Sequence, residues 1–114
     1  MADNAQEKLQ ELFISYGKSL PQKISEIEVD WKQLNKEWQK ELWEDFHRKI
    51  HTICGTSGTY GYNIVSQAAR TLEIVVKELI GSSATDDQRF QIEALLLILG
   101  LALKNMRTIS LKMT

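Results

Sequence analysis

The chain has 114 residues, 14 basic and 15 acidic, a formal net charge of -1 and 43% hydrophobic residues. That length suits a single compact domain over residues 1–114, with enough apolar side chains to bury a core without staples. The charge balance offers no basic excess for a nucleic-acid surface. The lone cysteine, Cys54, rules out an intramolecular disulfide, as expected of a cytoplasmic protein.

The opening residues, MADNAQEKLQ, are polar and of mixed charge, unlike a secretory leader. A first apolar stripe then runs Leu9, Leu12, Phe13, Tyr16, Leu20, Ile24, Ile27, Trp31, Leu34 at steps of three and four, the spacing of one helical face. Pro21 lacks an N–H and clashes with the preceding turn, so this helix is expected to be kinked or split there. Gly17, one turn earlier, offers a small side for the proline ring. A second stripe, Leu42, Phe46, Ile50, Ile53, Ser57, Tyr60, ends near Gly61, a natural helix terminator. A third starts around Asn63, a candidate N-cap, and passes through Val65, Ala68, Leu72 and Val76 toward Gly81.

Ser82 to Thr85 reads as a loop, and Thr85 with Gln88 makes a weak capping box for a fourth helix from about Asp86 to about Lys112. Within that helix Ala94 to Leu103 is the longest apolar run, about half of the ~20 residues a membrane span needs, and reads as buried core. No alternating strand pattern competes. The expected fold is all-α, an antiparallel up-and-down four-helix bundle. Trp31, Trp38 and Trp43 read as core or bundle-end packing.

The second helix carries the unusual residues. At about 100° per residue its apolar positions share one arc, and His51 falls roughly 125° from the arc's centre, facing solvent. Glu44, His47, Arg48, Gly55, Gly58 and Tyr62 join it on that outer face. A glycine inside a helix costs about 1 kcal/mol relative to alanine. Gly55 and Gly58, one and two turns after His51, read as a shallow groove through which another backbone approaches the imidazole. The bland reading is that they relieve crowding between helices. His47 and His51 have the spacing of a helical metal pair, but two ligands are too few and no metal is expected. Cys54 reads as a small half-buried residue rather than a nucleophile.

The run His51-Thr52-Ile53-Cys54-Gly55-Thr56-Ser57-Gly58-Thr59-Tyr60-Gly61 resembles the signature of histidine-phosphotransfer (Hpt) domains. The stretch Ala69 to Glu73 and the opening LFISYGKSLPQKISEIE are also similar to members of that family. The resemblance implies that His51 accepts a phosphoryl group from an aspartate of a receiver domain and passes it on. His47, Arg48, Cys54, Gly55, Gly58 and Tyr62 would then form the docking groove and phosphoryl environment. It further implies a carrier rather than an enzyme, with no cofactor of its own and Mg²⁺ on the partner. Its partners would be a response-regulator receiver or a hybrid sensor kinase, met as a monomer, without nucleic acid or membrane. One position departs from the pattern: the family usually has Lys or Arg where this chain has Cys54. That departure leaves open an adaptor that binds receivers or kinases without taking phosphate.

Overall fold

The computed structural model describes residues 2–79 and 83–113, with side chains described over 4–79 and 83–106. It contains α1 (Ala2–Lys36), α2 (Lys40–Thr59), α3 (Asn63–Lys77) and α4 (Asp86–Met113), with no strand among the described residues. The helices pack in a ring, α1 on α2, α2 on α3, α3 on α4 and α4 back on α1. Cross-helix bonds give the direction. Tyr16 meets Ser57 while Asp30 meets Lys49, and Cys54 meets Ser66 while Trp43 meets Val76, so both pairs run antiparallel.

Helix α1 continues through Pro21 as one element and is not split there. Its buried face is Tyr16, Leu20, Ile24, Ile27, Trp31 and Leu34, as the spacing predicts. Leu9 and Leu12, in phase with that stripe, are exposed instead. They border the α2–α3 turn at an open end of the bundle, where α2 has already finished. In α4 the run read as buried core is buried on one face only. Leu96, Leu99, Ala102 and Leu103 turn inward, whereas Leu97, Ile98 and Leu101 face outward, as does Phe90. Among the described residues α4 packs on α1 and α3, and these two helices leave part of its apolar surface uncovered.

The α2–α3 turn sets the depth of the site. Gly61 has φ +89°, a left-handed conformation that glycine adopts without a Cβ penalty. Its N–H bonds Gly58 O at 3.3 Å and the next N–H, of Tyr62, bonds Ser57 O at 2.7 Å, the two bonds of a Schellman ending. The reversal drops Tyr62 into the core, where its hydroxyl donates to Phe13 O at 2.7 Å and its ring stacks on Phe13 at 4.3 Å. Gly17 belongs to this contact rather than to Pro21. A Cβ on Gly17 would overlap the Tyr62 hydroxyl and lie 2.9 Å from Cζ.

Asn63 is the first residue of α3 and does not cap it. Gly81 and Ser82, expected to close α3 and open the next loop, lie outside the described residues. The Thr85–Gln88 capping box is present in both directions, at 2.9 and 3.2 Å. No helix among the described residues is long and apolar enough to cross a membrane.

Candidate functional site

The site lies where the middle of α2 faces the C-terminal half of α3. Phe46, Ile50 and Ile53 are buried, which turns the opposite side of α2 outward and leaves the His51 side chain 70% exposed. From α3, Leu72 and Val76 go into the core, and Glu73 between them reaches the α2–α3 seam with its side chain only 10% exposed.

Glu73 Oε2 is 2.7 Å from His51 Nδ1. A carboxylate oxygen accepts, so the bond assigns the imidazole proton to Nδ1 and leaves the Nε2 lone pair toward solvent. His47 Nε2 lies 3.2 Å from the same oxygen but has no hydrogen-bond alignment with it. One carboxylate thus sits beside two imidazoles a turn apart, whose rings are 6.3 Å apart. His47 in turn stacks on Trp43 with ring centroids 5.3 Å apart and the two planes nearly parallel. Trp43 Nε1 donates to Val76 O at 2.9 Å, a carbonyl in the last turn of α3 that also accepts from Leu79 N–H at 3.1 Å. Trp43 therefore joins the start of α2 to the end of α3, with His47 and Glu73 between them.

The other expected site residues divide. Arg48 is exposed and paired with Asp45 at 3.0 Å, three residues before His51. Gly55 is exposed, and a Cβ there would meet nothing within 4 Å, so the turn after His51 is open. Gly58 is exposed too, but its Cβ would come 3.3 Å from Ser66 Oγ, so this glycine also serves the approach of α3. Cys54 is buried against α3. Ser66 Oγ donates to Cys54 O at 2.7 Å and lies 3.9 Å from Cys54 Sγ. Tyr62 is a correction. It is 1% exposed and takes no part in the groove, because the helical wheel that places it beside His51 ends at the Schellman turn.

Sequence reasoning missed Glu73 as a site residue. The available signal was an acidic side chain in phase with Leu72 and Val76 on the buried side of α3. Among the described residues no set of three His, Cys, Asp or Glu side chains is arranged to hold a metal ion.

A protein-family model, described as Hpt domain, matches residues 19–108. No curated protein and no solved structure gives a match to the chain.

Proposed function

The chain belongs to the Hpt domain family, whose members serve histidine phosphotransfer in two-component signalling, and we propose that His51 is the phosphoryl acceptor and donor here. The observation that carries this reading is the pairing of an exposed imidazole with a buried carboxylate at Nδ1. Nε2 is then the nucleophile. Its lone pair forms an N–P bond as the P–O bond to a receiver aspartate breaks, and the aspartate leaves as carboxylate. Positive charge builds on the ring during attack, and Glu73 at Nδ1 stabilises it while holding the tautomer, as a carboxylate behind a catalytic histidine does elsewhere. Transfer to a second receiver runs the same step backwards.

The receiver would supply Mg²⁺, which neutralises charge on the transferring phosphoryl group. This chain contributes the positioned nucleophile and the open turn at Gly55 over which a partner backbone passes. It is a phosphocarrier, a substrate of its partners rather than a kinase.

One observation favours the adaptor reading. Cys54 is buried toward Ser66, and Arg48 is paired with Asp45, so neither presents a free cation to phosphoryl oxygens on His51. A single experiment separates the two readings. The chain is incubated with a phosphorylated receiver and Mg²⁺, and acid-labile phosphate is followed on wild type and His51→Gln. Label on wild type alone is the expected result. No label on wild type establishes the adaptor, and label surviving in His51→Gln places the acceptor elsewhere.

A further inference from the structure

A phosphoryl group on a side chain brings about two negative charges at neutral pH, and cationic N–H donors hold it most strongly. Helix α2 offers His51 no free cation. Cys54 is buried toward Ser66, and Arg48 is held by Asp45 at 3.0 Å. On the α1 side Lys49 pairs with Asp30 at 2.9 Å, and Lys23 lies over the Tyr16 ring. Helix α3 differs. Its Arg70 is exposed, and among the described residues no hydrogen bond, ion pair or ring contact engages the guanidinium.

We infer that Arg70 holds the phosphoryl oxygens on His51, supplying from α3 the cation that α2 lacks. The inference rests on His51 being the phosphoryl acceptor. Register places the residue. The two helices run antiparallel, with Ser66 Oγ bonded to Cys54 O at 2.7 Å and Glu73 Oε2 to His51 Nδ1 at 2.7 Å. Arg70 lies one turn after Ser66 and one turn before Glu73, so its backbone falls opposite the stretch from His51 to Cys54. At about 100° per residue Ser66, Arg70 and Glu73 lie within roughly 60° of one another, with Arg70 on the solvent side of that ridge. Packed helices stand about 8–10 Å apart, a gap that an arginine side chain can cross. Lys77 continues the ridge and is exposed too. Its neighbour Val76 accepts from Trp43 Nε1 at 2.9 Å, which sets that turn opposite Trp43. Trp43 is about 12 Å from His51 along α2.

The site has room for the contact. A Cβ on Gly55 would meet nothing within 4 Å, so the turn after His51 leaves space for a phosphoryl group and a guanidinium together. Glu73, the acid one turn from Arg70, is turned to His51 instead. The two α3 side chains then divide the work, Glu73 at Nδ1 and Arg70 at the oxygens carried on Nε2. The guanidinium stays protonated and donates up to two parallel N–H bonds. No bond to Arg70 forms or breaks as the N–P bond forms and the P–O bond to the receiver aspartate breaks.

The test loads the full chain in two ways, with phosphoramidate, a small-molecule phosphoryl donor, and with a phosphorylated receiver and Mg²⁺. Phosphorus NMR follows the phosphoryl group through pH, and His51→Gln identifies its resonance. A cation beside the group favours the dianion, so Arg70→Gln raises the midpoint of its titration by about 0.5–1 pH unit, and Arg70→Lys raises it less. Glu73 and His47 stand beside His51 in every variant, so the difference isolates position 70. Transfer from the receiver slows about tenfold in Arg70→Gln, with helix content unchanged because the side chain is in solvent. A midpoint in Arg70→Gln equal to wild type overturns the proposal, and slowed transfer alongside it makes Arg70 a docking residue. A shift in Lys77→Gln in place of Arg70→Gln overturns it in favour of Lys77. A midpoint that moves as expected in a chain that takes no phosphate from the receiver leaves the contact standing and sinks the phosphotransfer reading instead.

Discussion

His51 Nδ1 is tied to Glu73 Oε2 at 2.7 Å, a bond between an exposed imidazole and a buried carboxylate contributed by the next helix. The exposed partner is free to react only at its other nitrogen, and the buried one cannot turn away because Leu72 and Val76 anchor its turn of α3.

Glu73→Gln tests that relationship. A glutamine presents either an acceptor or a donor to Nδ1 and carries no charge to match the imidazolium. Phosphoryl transfer to His51 is expected to slow by on the order of tenfold or more, with helix content unchanged. Quench-flow transfer from one phosphorylated receiver measures it, and a rate equal to wild type would show that Glu73 serves packing alone.

The two glycines after His51 are expected to behave differently. Gly55→Ala places a methyl in open space and improves helix propensity, so stability should rise by about 0.5–1 kcal/mol. Gly58→Ala must shift Ser66 by a few tenths of an ångström, which offsets that gain. Urea denaturation of both variants checks the order. Gly55→Phe, by contrast, should obstruct docking and slow transfer without unfolding the chain.

Gly17 and Tyr62 form the contact between α1 and the α2–α3 turn. Gly17→Ala forces the tyrosine ring off its stack on Phe13 and should cost about 2–3 kcal/mol. Tyr62→Phe removes the hydrogen bond to Phe13 O, at about 1 kcal/mol. Because both act on one contact, the loss in the double variant should fall short of the sum. Additive losses would separate the two sites.

Cys54→Lys asks whether a cation at the position usual for the family helps the phosphoryl group. Cys54 is buried beside Ser66, so the lysine stem must run along the seam to put its ammonium in water, at a cost of about 1–2 kcal/mol. Phosphohistidine on His51 is nonetheless expected to form faster or decay more slowly, through a charge-assisted hydrogen bond. Unchanged formation and decay rates would mean the receiver supplies the charge.

Much of this protein was legible in its residue order. Steps of three and four among apolar residues are local facts, and they marked four helices, the inward face of α2 and hence the exposure of His51. The capping box at Thr85 and the end of α2 at Gly61 are local as well, set by side-chain chemistry within one turn. What lay across helices was not legible. Glu73 is twenty-two positions from His51 and becomes its partner only when α2 and α3 pack antiparallel at one register. Gly17 meets Tyr62 across forty-five positions, and Tyr62 left the outer face because a left-handed glycine ended the wheel beneath it. Periodicity states which way a side chain points from its own helix axis. Only the packing of one helix on another decides what it meets there, and whether, as for Leu97 and Phe90, it stays largely in solvent.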